Sequence, residues 1–120
     1  MRRRVLVVDD HPSFRRFATK LLQAGGFEVV GEAEDGASAL AAARLLQPEL
    51  VLLDVLLPDM SGLAVAEALA GDSHNAKVVL VSSRTATELG PALEESPAAG
   101  FLTKNELTAD ALAAIADGAP

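Results

Sequence analysis

The chain has 120 residues, half of them hydrophobic, a formal net charge of −7 and no cysteine. That length suits one domain with a packed core, and the hydrophobic share argues against disorder. Without cysteine there is no disulfide, thiolate-metal or redox chemistry, and the negative charge makes the chain a poor nucleic-acid binder.

Met1-Arg2-Arg3-Arg4 has the look of a charged signal-peptide end. The apolar run after it stops at Asp9-Asp10, short of a roughly 7–15-residue signal core. The arginines are therefore read as a solvated lead-in to the first strand. No stretch approaches the roughly 18 apolar residues of a membrane span, and a cytoplasmic location is the default expectation. In chain order, Val5-Leu6-Val7-Val8 is the first strand. Phe14, Phe17, Ala18, Leu21 and Leu22 then follow i, i+3, i+4, i+7, i+8 spacing, one apolar helix face, and Gly25-Gly26 ends that helix. A weaker strand covers residues 27–33. Ala39, Leu40, Ala43 and Leu46 predict a second helix closed by Pro48. Leu50-Val51-Leu52-Leu53 is the third strand, Leu63, Ala66 and Leu69 mark a third helix, and Val78-Val79-Leu80-Val81 is the fourth strand. The segment 85–96 carries Gly90-Pro91 in its middle, so its helix is short or begins near Pro91. Residues 99–103 form a fifth strand. Thr108 caps a last helix, with Leu107 and Leu112 at the hydrophobic-staple positions.

The three strong apolar runs do not alternate with polar residues, as expected of parallel strands buried on both faces. Strand and helix alternate about five times, predicting a doubly wound α/β domain over residues 1–120, with no DNA-binding domain in this chain. In such sheets sites form beyond the carboxyl ends of the strands. Asp9 and Asp10 close the first run, Asp54 the third, Ser82 the fourth and Lys104 the fifth. With strand order 2-1-3-4-5, strands 1 and 3 are neighbours. The three carboxylates then lie together, Ser82 flanks Asp54, and Lys104 reaches across on its long stem. Packed carboxylates repel one another. Hard oxygens without Cys point to Mg²⁺, which takes one or two carboxylates, waters and a phosphate oxygen. Lys104 is a point charge suited to phosphoryl oxygens, and a carboxylate nucleophile forms an acyl phosphate. The set describes an aspartyl-phosphate site.

These residues resemble the response-regulator receiver family along essentially the whole chain. The matching pieces are Val7-Val8-Asp9-Asp10-His11-Pro12, Gly31-Glu32-Ala33 with Asp35-Gly36, Pro48 through Val55, Pro58, Gly62, Val81-Ser82-Ser83 and Gly100-Phe101-Leu102-Thr103-Lys104. The resemblance implies that Asp54 is phosphorylated by a sensor histidine kinase or a phosphotransfer protein. It implies that Asp9, Asp10, Asp54 and the backbone carbonyl of Leu56 hold Mg²⁺, and that Lys104 pairs with the phosphoryl group. Ser82 would turn towards that group, Phe101 would fill the space vacated, and small Ser83 would leave room for the donor. The output surface would be the fourth helical segment, fifth strand and last helix, with a phosphorylation-dependent homodimer among its outcomes. Such a domain catalyses only its own phosphotransfer and dephosphorylation and is not otherwise an enzyme.

Two positions depart from the family's usual pattern. Asn105 stands where most members have Pro, so a trans bond is expected after Lys104. Phe101 replaces the Tyr of chemotaxis-type members. Asp-Asp-His-Pro and the Gly-Phe-Leu-Thr-Lys ending are closest to receivers of LuxR-type regulators. The Gly-Ala-Pro ending reads as a natural fray, which favours a stand-alone regulator over a fragment.

Blander readings stand beside these. Asp9 and Asp10 could be helix N-caps, Lys104 a surface lysine, and His11 either a phosphate or metal neighbour or, more simply, a solvated residue. His74 reads as a loop residue and Glu94-Glu95 as a solvated face. A flavin or nucleotide binder on the same fold would need a phosphate loop where Asp-Asp-His-Pro stands. A haloacid-dehalogenase-type phosphatase would want an Asp where Leu56 stands. A receiver that no longer phosphorylates, serving as an interaction module, is the remaining alternative.

Overall fold

The computed structural model describes residues 2–118. The elements are β1 (Arg4–Val8), α1 (Pro12–Ala24), β2 (Glu28–Ala33), α2 (Gly36–Leu46), β3 (Leu50–Asp54), α3 (Gly62–Ala70), β4 (Lys77–Ser82), α4 (Ala86–Leu89), α5 (Ala92–Glu95), β5 (Gly100–Thr103), a 3₁₀ turn (Lys104–Glu106) and α6 (Ala109–Ala116). The strands form one sheet in the order β2-β1-β3-β4-β5, every pairing parallel. This is the expected doubly wound, flavodoxin-like order.

Both sheet faces are covered, which explains why the central strands read as unbroken apolar runs. Leu6, Val8, Val51, Leu53 and Leu80 pack with Ala39, Ala43, Val65, Ala66 and Leu69 from α2 and α3. The alternate residues, Val5, Val7, Leu52, Val79 and Val81, pack with Ala18 and Leu22 from α1 and Leu112 and Ala116 from α6. Each fully buried Val or Leu side chain contributes about 1.5–3 kcal/mol relative to exposure.

Local chemistry sets the helix ends. Pro12 opens α1, where its missing N–H costs nothing. Asp35 caps α2 through Ser38 N–H at 2.8 Å in a reciprocal capping box. Thr108 caps α6 through Ala111 N–H at 3.0 Å, and the staple residues Leu107 and Leu112 are both buried. Gly90 sits at φ +82°, a region few side chains enter, and Pro91 follows; together they break the expected fourth helix into α4 and α5. No peptide bond among the described residues is cis, so the bond after Lys104 is trans as expected.

Two expectations need correction. Phe17 is 52 % exposed rather than part of the buried face of α1. At about 100° per residue it lies roughly 120° around the helix from the midpoint of Ala18 and Leu22, beyond the edge of the sheet-facing stripe. The arginine lead-in is not merely solvated either. Arg4 donates to Gln47 O at 2.8 Å and Leu46 O at 2.7 Å, satisfying the last carbonyls of α2, and Arg3 pairs with Asp117. Of the Gly-Ala-Pro ending, Ala119 and Pro120 lie outside the described residues, as does Met1.

Candidate functional site

The loops that follow β1, β3, β4 and β5 converge at the carboxyl edge of the sheet. Among the described residues, the buried polar or charged ones are Asp9, Asp54 and Ser82, all at this edge. Burying a carboxylate is costly unless it is paired or used. Asp54 ends β3 one register step before Ser82 ends β4, since Asp54 pairs with Val81. Asp9 directly follows β1, the neighbour of β3.

Within the cluster, Asp9 Oδ1 accepts from the main-chain N–H of His11 at 2.8 Å, and Asp54 Oδ1 accepts from Leu56 N–H at 3.1 Å. Lys104 Nζ lies 2.7 Å from Asp9 Oδ2 and 3.6 Å from Asp54 Oδ2. The closer approach is an ion pair without hydrogen-bond alignment, so Asp9 Oδ2 remains buried without an aligned donor, as does Asp10 Oδ1. One ligand atom from each of Asp9, Asp10, His11 and Asp54 lies within 4.8 Å of the others.

The electrostatics separate the two buried acids. Burial pushes Asp54 up to about 6, helped by the charge of Asp9 and opposed by Leu56 N–H and Lys104. Burial acts upward on Asp9 too, but Lys104 and the His11 N–H outweigh it and hold the group below the usual carboxylate range. Lys104 thus sits mainly on Asp9, and Asp54 carries the strained charge. The buried Asp10 Oδ1 without a donor, beside carboxylates that repel, suits a hard divalent cation.

The residues 5–116 match the model of the response regulator receiver domain. The chain belongs to the response regulator receiver family. It is similar to the nitrate/nitrite response regulator protein NarP of Escherichia coli, 40 % identical over 116 residues, covering 96 % of this chain and 54 % of that protein. It is 37 % identical over 115 residues to the probable transcriptional regulatory protein NarL of Mycobacterium tuberculosis, covering 95 % of this chain and 53 % of that one. The solved signal receiver domain of a NarL from Mycobacterium tuberculosis superposes with a TM-score of 0.86 at 37 % identity, covering 98 % of each chain. The receiver spans about half the length of these curated relatives. Its place is among two-component response regulators, with relatives of the LuxR type.

The receiver structure brings Asp9, Asp10, Asp54 and Lys104 together. Ser82 is buried at the adjacent strand end, its Oγ accepting from Arg84 N–H at 3.0 Å. Ser83 is exposed beyond it. Phe101 is half-buried against the α2–α3 side of the core. The capping reading of the two acids fails, because the N-cap of α1 is His11. His74 is more than a loop residue, since its Nε2 lies 2.7 Å from Pro48 O.

Two neighbours of the site, Phe14 and Arg15, went unassigned by sequence reasoning, and a third, His11, was offered as a phosphate or metal neighbour but read more simply as solvated. The ring of Phe14 lies 4.3 Å from Lys104 Nζ and steadies the ammonium over its face. Arg15 donates from Nη1 to Asp9 O at 2.6 Å and from Nε to Glu32 at 3.1 Å, anchoring the start of the acidic loop. His11 points Nδ1 at both Asp9 and Asp10. Phe14 reads as core and Arg15 as surface in a helical pattern, and nothing in spacing alone reveals which strand end they face.

Proposed function

We propose that this receiver is phosphorylated on Asp54 in a Mg²⁺-dependent reaction, with a sensor histidine kinase or phosphotransfer protein as donor. The observation that carries the reading is Asp54 itself. It is a buried carboxylate, raised to about 6, ending a central strand with Asp9 beside it and a lysine ammonium at 3.6 Å. An Asp54 oxygen attacks phosphorus as the donor's nitrogen–phosphorus bond breaks, leaving an acyl phosphate and the donor's free imidazole. Asp9, Asp10, Asp54 and the Leu56 carbonyl would hold Mg²⁺, which supplies positive charge at the phosphoryl oxygens. Lys104 needs to swing only from Asp9 towards Asp54 to pair with the phosphoryl group, and Phe14 limits where it goes. Ser82 offers its hydroxyl proton from the next strand end, and exposed Ser83 leaves the approach open.

Loss of Ser82 from its contact with Arg84 N–H would let Phe101 shift and change the surface of α4, α5, β5 and α6. A partner reads that surface, or a second copy does so as a phosphorylation-dependent dimer. The receiver catalyses only its own phosphotransfer and dephosphorylation. The transcriptional roles of the NarL relatives would reach this domain through the same surface, and a cytoplasmic setting suits a kinase-fed switch. Among the described residues no helix is long and apolar enough to cross a membrane.

Incubation with acetyl phosphate and Mg²⁺ should add one phosphate to the intact mass, with none added in EDTA or in Asp54→Asn. Equal labelling of that variant would contradict the assignment.

A further inference from the structure

Among the described residues, His11 brings an imidazole nitrogen to the carboxylate cluster. Its side chain is 65 % exposed, yet Nδ1 points inward, 3.0 Å from Asp9 Oδ1 and 3.1 Å from Asp10 Oδ1. Only the first of these is a hydrogen bond, because Asp10 Oδ1 has no aligned donor. The imidazole therefore sits beside Asp10 as a neighbour, not as its donor. In an octahedral site with bonds of about 2.1 Å, adjacent ligand atoms lie about 3 Å apart. Asp9 Oδ1, Asp10 Oδ1 and His11 Nδ1 have that spacing along both measured edges.

The backbone explains the pose. His11 is the N-cap of α1, held extended at φ −93° and ψ 111° by Pro12 behind it and by its own N–H on Asp9. That main-chain bond fixes the start of the side chain, and a short swing about its rotatable bonds keeps Nδ1 on the acidic face.

We infer that His11 is a nitrogen ligand of this cation site, so the receiver takes a first-row transition ion more tightly than its oxygen donors alone would allow, and Mn²⁺, the hardest of the series, is the probe that reports it. The inference rests on the metal site proposed above. A bound cation takes the place of the proton that Nδ1 shares with Asp9 Oδ1: with the ring proton on Nε2 instead, the Nδ1 lone pair coordinates. Imidazole suits first-row transition ions, whereas Mg²⁺ favours oxygen. The histidine should thus widen the difference between Mn²⁺ and Mg²⁺ while leaving the phosphoacceptor chemistry to Asp54.

The test uses the full chain and Mn²⁺ alone, read by electron paramagnetic resonance. Room-temperature spectra measure bound against free ion, and pulsed spectra of frozen samples report a nitrogen nucleus bound to manganese. Wild type should show bound Mn²⁺ with nitrogen modulation. His11→Ala keeps the main-chain N–H on Asp9, and it should lose that modulation and about tenfold of its Mn²⁺ affinity, with Mg²⁺ affinity nearly unchanged. Bound Mn²⁺ without nitrogen modulation in wild type overturns the inference and leaves the metal site standing. Modulation that persists in His11→Ala overturns it as well. Mn²⁺ that does not bind, or that binds equally in Asp10→Ala, overturns the metal site and the inference together. Should His11→Ala fail to fold, His11→Gln replaces it, and the wild-type pulsed spectrum still decides.

Discussion

At the scale of single residues, Asp54 carries a cost in the resting protein that Asp9 does not. Its pKa stands near 6 in the folded chain against about 3.9 in an unfolded one. The folded state therefore binds the proton more tightly, and stability is lost as pH rises from about 4 to about 6. Asp54→Asn removes this titration and keeps the side chain's volume and its acceptor for Leu56 N–H. In metal-free buffer the variant should be more stable than wild type above pH 6, by about 1–3 kcal/mol, with the gap closing towards pH 4. Urea melts across that range check it; a constant gap at every pH would show that the burial cost lies elsewhere. The same residue shows what was legible beforehand. A carboxylate ending a wholly apolar strand is a strong signal for Asp9 and Asp54, and Lys104 was readable from its place just past the fifth strand. Phe14 and Arg15 were not assigned, and His11 was left between a metal neighbour and a solvated residue. Their roles depend on which way a side chain at the start of α1 leans, and periodicity fixes only a face.

At the scale of elements, Gly62 and Gly90 show two different constraints. A Cβ on Gly62 would collide with the main-chain oxygen of Asp54, where α3 begins against the end of β3. Gly62→Ala should cost about 1–3 kcal/mol by overpacking and lower phosphorylation more than a comparable change elsewhere on α3, because the displaced atom belongs to Asp54. Unaltered labelling kinetics would show that the strand end can yield freely. Gly90, by contrast, has open space around it but sits at φ +82°, so it acts through backbone shape. It splits the segment into two single-turn helices, and no residue from 83 to 106 is buried. Amide exchange should accordingly be fastest across this stretch and slow in β1 and β3. With beryllium fluoride and Mg²⁺ as a phosphoryl mimic, exchange over residues 85–104 should change in wild type and barely change in Ser82→Ala. If both respond alike, Ser82 does not couple the site to that surface. Sequence gave the break at Gly90-Pro91 because both residues act locally. It overcounted the face of α1 at Phe17, because the width of the buried stripe is set by the sheet beneath and not by the helix.

At the scale of the whole molecule, topology turns separate strand ends into one site. The order β2-β1-β3-β4-β5 sets Asp9 beside Asp54 and brings Ser82 and Lys104 in from the far side. This much followed from an alternating strand–helix pattern and a rule about where α/β sites form. The distances did not, since they depend on side chains meeting across three loops. Clustering three acids in a chain of net charge −7 also sets a balance between binding and stability. Asp10→Ala should weaken Mg²⁺ binding, read by titration calorimetry, and raise the melting temperature in EDTA by relieving repulsion. Unchanged Mg²⁺ affinity would remove Asp10 from the metal site.

Phosphorylation at Asp54 forms an acyl phosphate at one carboxylate, and borohydride reads that directly, because it reduces such a phosphate to an alcohol and turns the aspartate into homoserine. After treatment with acetyl phosphate and Mg²⁺, reduction and peptide mapping should place homoserine at position 54 and at no other aspartate, with none when EDTA is present. Homoserine at position 9 or 10, or a retained phosphate with no homoserine anywhere, would contradict it.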